Sequence, residues 1–409
     1  MFSIAAPPPP GRGVVVLQVL PRLVAGGAER GAIDVAGAVV AAGGAAIVAS
    51  RGGPMVRELA RLGAAHVELP LDSRNPIVMR ANVGRLLRLI ERHGVDIVHA
   101  RSRAPAWSAY FAARRAGCCR FVTTFHGAYA AGNWLKRRYN GVMAKGDRVI
   151  AVSDFIAGLL RSDYGVQADR LRIVPRGIDL ELFDPERVSA ERVIQLATRW
   201  RLPDGVPVVM LPARFTRRKG QHVLIEAVAR LGGRDLRCLL IGPEPERPGY
   251  RREIEGLIAR RRLGGRVHIV DDCRDMPAAY KLADVVVSAS VAPEAFGRTI
   301  AEAQAMGRPV VASDHGGVRE QAAIGRMVWL TPPGDAAALA AAIVRALDLS
   351  PEERERLAPE AIAAVRAHYA KDAMCADTLA VYRELLEAAP APARAARAGE
   401  TARPLATGP

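Results

Sequence analysis

At 409 residues the chain is more than twice the usual single-domain length, which predicts two globular domains. Half of its residues are hydrophobic, 24% are charged and 5% are aromatic, a balance that excludes collagen, coiled-coil and disulfide-scaffold architectures and a wholly disordered chain. The net charge of +16 rests on five lysines and 53 arginines; an arginine skew of this kind, beside abundant Ala and Gly, tracks a GC-rich coding bias and leaves only an expectation of anionic partners: phosphates, nucleotides or an anionic membrane face.

Nucleic-acid binding is not expected, because neither an aromatic platform nor a recognised module accompanies the arginines. Cys118, Cys119, Cys238, Cys273 and Cys375 contain no C-x-x-C, so no metal knuckle or redox pair has its spacing and reduced, mostly buried thiols are expected. The longest charge-free apolar stretch, residues 35–50, is broken by Gly43-Gly44 and falls short of a membrane span. Residues 1–11 carry four consecutive prolines (Pro7 to Pro10) and no signal-peptide pattern. A cytoplasmic location is therefore expected.

From residue 14 onward, β-rich runs alternate with amphipathic helical stretches, the rhythm of parallel βαβ units. Residues 14–20, 46–50, 66–69, 96–99, 121–125, 148–152 and 171–174 read as strands of a first sheet. Between Asp184 and Asp204 the strands pause, punctuated by Pro185 and Pro203, and the domain junction is expected there. A second sheet follows at residues 208–213, 238–241, 267–270, 285–288, 309–312 and 327–330. Helices are predicted at 220–231, 335–349, 351–369 and 372–389, the first from the stripe Val223, Leu224, Ala227, Val228 and Leu231. The expected domains are thus 12–187 and 188–370, then a helix over 371–389, with both ends, 1–11 and 390–409, disordered.

The densest chemistry runs from Ala292 to Glu302, after a strand and into a helix, the position at which open α/β sheets bind ligands. A helix starting near Gly297 aims the free N–H groups of Gly297, Arg298 and Thr299 at a phosphate. Glu302, one turn along, is placed to accept both hydroxyls of an attached ribose, while Glu294 faces the other end of the phosphates. A lone glutamate here would more simply complement the helix dipole; the surrounding pattern tips the reading towards a site. Arg214, Arg217, Arg218 and Lys219 form a second cluster after a strand, suited to a diphosphate leaving group and equally to a solvated basic loop. Gly26-Gly27 after the first strand permits close approach of backbone to ligand, or forms only a tight turn. His126 ends the fifth strand, where a single histidine is more often structural.

Together these residues resemble the family four retaining glycosyltransferases of the GT-B fold, from about Val14 to Leu386. The family's Glu-x7-Glu pair corresponds to Glu294 and Glu302, with Phe296-Gly297 between them and Gly307-x-Pro309 and Gly316-Gly317 after them. Arg214 and Lys219 match its diphosphate-binding pair, Gly26-Gly27 its glycine loop, and His126 the histidine beside the donor sugar. The stretch 382–386 is similar to its last helix, which returns to the first domain.

The resemblance implies two doubly wound Rossmann-like domains facing a cleft, and transfer of a sugar, with anomeric retention, from a nucleotide diphosphate sugar, UDP-linked by expectation, to a glycan or lipid-linked acceptor. It implies His126 and Glu294 as catalytic groups, and Arg214, Lys219, Phe296, Gly297, Arg298, Thr299 and Glu302 as donor-binding residues. Family habit points to lipopolysaccharide or other surface polysaccharide synthesis. No cofactor or metal is expected, since cations and backbone N–H groups replace the ion and no Asp-x-Asp occurs. Residues 271–276 depart from the glycine-containing loop that lines the base in many members, and Arg176 replaces a common asparagine in a tetrapeptide that reads as a turn. Residues 134–148, with Trp134, Tyr139 and five cations, have the mixture found at an anionic membrane interface and, somewhat more simply, that of a solvated basic helix. The rivals on this fold are a nucleotide-sugar epimerase and a non-catalytic scaffold.

Overall fold

The computed structural model describes residues 13–24, 26–129, 134–243, 249–271 and 273–388; the ends expected to be disordered lie outside that set. Among the described residues thirteen strands form two parallel sheets. The first comprises β1 (Val15–Val19), β2 (Ala45–Ser50), β3 (Ala65–Glu68), β4 (Ile97–Ala100), β5 (Arg120–Phe125), β6 (Arg148–Ala151) and β7 (Leu171–Ile173), in the order β3-β2-β1-β4-β5-β6-β7. The second comprises β8 (Val208–Pro212), β9 (Arg237–Ile241), β10 (Val267–Val270), β11 (Val285–Ser288), β12 (Val310–Ser313) and β13 (Val328–Thr331), in the order β10-β9-β8-β11-β12-β13. Every strand predicted from sequence is present. Each order reverses once, between β1 and β4 and between β8 and β11, as in doubly wound folds. Central strands such as β1, buried at all five residues, read as continuous apolar runs because helices cover both faces of a parallel sheet.

The chain divides into two compact units, one of Met1–Thr124, Gly141–Val149 and Thr378–Pro409 and the other of Phe125–Asn140 and Ile150–Asp377. In the first, the end of the helix Lys371–Glu387 packs where sequence expected a return. Its buried Tyr382 hydroxyl lies 2.6 Å from Nδ1 of His99, whose Nε2 lies 2.7 Å from Oγ1 of Thr124, and Glu384 pairs with Arg148 at 2.7 Å. Burial, then the Arg101 charge, hold the His99 imidazole well below its ordinary range, so it is neutral. In the second unit the core forms where the helices Gln221–Arg230 and Ala336–Leu347 pack on the sheet, and it buries Leu211, Leu224, Val228, Leu240, Val287 and Ile343.

The stretch between Asp184 and Asp204 holds the 3-10 turn Pro185–Arg187 and the helix Ala190–Arg199. Arg192 of that helix meets Asp275 through two hydrogen bonds, at 2.6 and 2.8 Å, and Asp275 also caps the helix Met276–Leu282. The departure at residues 271–276 therefore has a structural use at Asp275; Asp272 lies outside the described residues.

The basic stretch 134–148 is not one surface. Its helix ends at Trp134–Asn140 and a 3-10 turn follows at Gly141–Ala144. Lys145 sits 5.4 Å from the centre of the Tyr110 ring and Arg148 is committed to Glu384. Lys136, Arg137 and Arg138 are exposed beside Trp134 and Leu135; Lys145 is exposed too, but over the Tyr110 ring rather than on that helix, and Arg148 is drawn in where β6 begins.

Candidate functional site

The reversal between β8 and β11 brings two sequence clusters together. After β8 the chain passes Arg214 and a tight turn, Arg217–Lys219, into the helix Gln221–Arg230; after β11 it runs through Ser290 and Glu294 into the helix Arg298–Ala305. Gly220 joins them. It has a left-handed φ of 71°, and a Cβ there would collide with the carbonyl oxygen of Ala289, so only glycine lets the turn lie this close. Val291 N–H donates to the Arg218 carbonyl at 2.8 Å across the same junction.

As a result Nζ of Lys219 donates to Oε1 of Glu294 at 2.6 Å, and Ser290 Oγ donates to the same oxygen at 2.5 Å. Sequence reading gave Lys219 to the phosphates and Glu294 to the sugar; the fold makes them direct partners. Burial alone would raise the Glu294 carboxyl, but the Lys219 ammonium, the Ser290 hydrogen bond and the Arg218 charge outweigh it and hold it below the ordinary carboxylate range. The backbone of Glu294 is fixed from the other side. Its carbonyl accepts from Gly317 N–H at 3.0 Å, and a Cβ on Gly316, at φ 64°, would strike that carbonyl. The Gly316-Gly317 pair is thus a backing for Glu294. His315, before it, donates from Nε2 to the Ser290 carbonyl at 2.8 Å.

The helix Arg298–Ala305 starts at Gly297, whose φ is 95°. The Gln321 amide donates to the carbonyls of Phe296 and, at 3.2 Å, Gly297. These two bonds pin the peptides that precede the helix, leaving its first N–H groups as donors. The ring of Phe296 is buried edge-on against Tyr369, with centroids 5.0 Å apart, so what Phe296 can offer a ligand is backbone. Thr299 donates to the Pro212 carbonyl at 3.3 Å, tying the helix to β8. Glu302 accepts from Arg298 Nε at 3.0 Å and from the Tyr280 hydroxyl at 2.8 Å.

His126 is half-buried at the end of β5, and its carbonyl accepts from Arg176 at 3.0 Å. The tetrapeptide Arg176 to Asp179, read as a plain turn, also bonds to both sides of its neighbour: Ile178 N–H donates to Tyr369 and Lys371 N–H donates back to Ile178. Arg214 is exposed. Gly26 belongs to the first unit, in extended backbone that any residue adopts; the space a Cβ would fill there is taken by the carboxylate of Glu29. Glu320 caps the helix Asp154–Tyr164, accepting from the N–H groups of Asp154 at 2.9 Å and Phe155 at 2.7 Å. Sequence reasoning missed Tyr280, Ser290, Gln321 and this cap. Ser290 alone left a signal, four residues before Glu294 on the loop that carries it.

Among the described residues, no group of three or more His, Cys, Asp or Glu side chains is arranged to hold a metal ion, and no helix is long and apolar enough to cross a membrane.

Residues 25–182 match the model of Glycosyltransferase Family 4, and residues 206–348 that of Glycosyl transferases group 1. The crystal structure of a glycosyltransferase from Rickettsia africae ESF-5 is 35% identical, with a TM-score of 0.84, covering 92% of this chain and 100% of that one. D-inositol 3-phosphate glycosyltransferase of Xylanimonas cellulosilytica is 32% identical over 247 residues, 55% of this chain and 57% of that protein. A GDP-mannose-dependent alpha-(1-6)-phosphatidylinositol monomannoside mannosyltransferase of Mycolicibacterium smegmatis is 29% identical over 274 residues, 63% of this chain and 69% of that protein. The chain thus spans a little over half of the length of the first of these two relatives and about two thirds of the second.

Proposed function

The chain belongs to the family four glycosyltransferases of the GT-B fold, and from that premise we propose that it moves a sugar, with retention, from a nucleotide diphosphate sugar to a glycan or lipid-linked acceptor of surface polysaccharide synthesis. The observation that carries this reading is the convergence of Lys219, Ser290 and Glu294 beside the free N-terminus of the helix Arg298–Ala305. A diphosphate bound there meets an ammonium and a row of N–H groups, and both stabilise the charge that grows as the sugar–phosphate bond breaks. Lys219 then exchanges a carboxylate for a more highly charged phosphate. Glu294, held ionised by Lys219 and Ser290, is available to accept hydrogen bonds from sugar hydroxyls. Arg214, exposed on the segment after β8, adds a cation for the diphosphate, and Glu302 takes the ribose.

No metal enters this scheme, because the positive charge opposing the diphosphate comes from the chain itself. Peripheral contact with an anionic membrane belongs to the proposal too, carried by the exposed cations and Trp134. The experiment is a screen of UDP- and GDP-sugars by thermal shift, followed by turnover with a lipid-linked or oligosaccharide acceptor and NMR of the new anomeric centre. Stabilisation by at least one nucleotide sugar, an axial product from an axial donor, and undiminished turnover in EDTA are expected. An inverted product removes retention, and turnover abolished by EDTA and restored by magnesium or manganese removes the metal-independent mechanism.

A further inference from the structure

Glu302 is already engaged before any ligand arrives. Oε1 accepts from Arg298 Nε at 3.0 Å and Oε2 accepts from the Tyr280 hydroxyl at 2.8 Å. Tyr280 lies in the helix Met276–Leu282 and is wholly buried, its ring edge-on to Phe183 at 5.8 Å between centroids. Burial first, then the adjacent Glu302 charge, push its phenol well above the ordinary range, so it stays an O–H donor. An ionised carboxylate has about four acceptor positions, two on each oxygen. Tyr280 and Arg298 use one on each. One on each oxygen remains, which is the requirement of a vicinal diol, and 15% of the Glu302 side chain is exposed to receive it.

We propose that Tyr280 is a positioning residue that holds Glu302 from beneath so that its two open acceptor positions take the 2′- and 3′-hydroxyls of a ribose, making the donor site selective for ribonucleotides over 2′-deoxyribonucleotides. The proposal deepens the donor-site reading above and rests on it. Tyr280 donates from the interior, Arg298 from the helix's own first turn, and the carboxylate between them loses the rotamer freedom that binding a ribose would otherwise have to restrict. A 2′-deoxyribose leaves one desolvated carboxylate oxygen without its partner, and that loss falls on affinity rather than on fold.

The test is calorimetry with UDP and 2′-deoxy-UDP, and in parallel GDP and 2′-deoxy-GDP, on the wild-type protein, Tyr280→Phe, Glu302→Gln and the double variant. Tyr280→Phe keeps the ring and its packing, and a circular dichroism melt checks each variant's fold. The wild type should prefer the ribonucleotide about tenfold or more, as expected for one hydrogen bond to a charged group. Tyr280→Phe should weaken ribonucleotide binding and shrink that preference at least about threefold. The double variant should bind no more weakly than Glu302→Gln alone, because Tyr280 acts through Glu302. A preference unchanged in Tyr280→Phe, or additive losses in the double variant, overturns the positioning role and leaves the donor site standing. Binding without any ribose preference in the wild type overturns the pairing of Glu302 with a diol. Failure of the wild type to bind either ribonucleotide overturns the donor-site reading, and this proposal with it.

Discussion

Lys219 and Glu294 stand 75 positions apart in sequence and meet at 2.6 Å, with 29% and 21% of their side chains exposed. A pair this open gains modestly from its Coulomb attraction, so its value lies in what each partner does once a diphosphate arrives. The charge on that diphosphate increases on the way to the transition state. Replacing Lys219 by Ala should therefore lower kcat by about 10²–10³-fold, the usual cost of one preorganised donor, with a smaller change in KM. Steady-state kinetics measure both. A variant with normal kcat would reduce Lys219 to the counter-ion of Glu294.

Among the elements, two glycines test how much of the site depends on backbone contact. Gly220 brings the Lys219 turn against the segment after β11, and Gly220→Ala places a Cβ on the Ala289 carbonyl at a left-handed φ, so it should lower Tm and donor binding together. Gly158 lies exposed within the helix Asp154–Tyr164 with nothing near its missing Cβ; Gly158→Ala should stabilise by up to about 1 kcal/mol. Thermal melts of the two variants must move in opposite directions for this account to hold. The helix Trp134–Asn140 supports a different measurement. Trp134 is 71% exposed and Leu135 57%, beside the three exposed cations of the same helix, Lys136, Arg137 and Arg138; of the other two in the stretch, Lys145 lies over Tyr110 and Arg148 pairs with Glu384. At about 1 kcal/mol per cation near an anionic leaflet, attachment should be reversible and lost in high salt. Co-sedimentation with anionic but not neutral liposomes, reduced by Lys136→Glu with Arg137→Glu, is the expected result; equal binding to both, or none, returns the helix to a solvated role.

The same elements explain what could be read in advance. All thirteen strands were legible because a parallel sheet covered on both faces demands apolar runs bounded by turns. Glu294, Glu302 and Lys219 were legible because each sits at a strand-to-helix transition, where the fold opens towards ligands. Tyr280 and Gln321 were not, since a core tyrosine and a core glutamine carry no periodic or spacing signal; their partners, Glu302 and the Phe296-Gly297 peptides, are 22 to 25 residues away along the chain and adjacent only through packing. The extent of the basic stretch was misjudged for a related reason. Charge density along a sequence does not tell whether a cation faces water, an aromatic ring or a carboxylate.

Histidine burial sets how the folded chain responds to acid. His66, His93, His99, His222 and His268 are each lowered, in every case first by burial. An unfolded histidine begins to bind a proton as pH falls through about 6.5, whereas these folded ones resist until lower pH. The unfolded state therefore holds more protons in that window, and stability is lost as pH falls. The depressed carboxyls of Asp179, Asp275 and Glu294 act in the same direction, but only as pH drops below about 4, where unfolded carboxylates protonate. The interval from pH 7 to pH 5 thus isolates the histidines. His99 should dominate it, being wholly buried between Tyr382 and Thr124, with a limiting slope of about 1.4 kcal/mol per pH unit for one proton. The other four are nearer solvent and should contribute less each. Tm should fall by a few degrees from pH 7 to pH 5, and His99→Gln should flatten the decline while lowering Tm at pH 7, because the C-terminal helix then loses part of its anchor at Tyr382. A melting series at constant ionic strength decides it: a Tm independent of pH over that interval, or an unchanged slope in His99→Gln, would mean that His99 takes up its proton without loosening the helix.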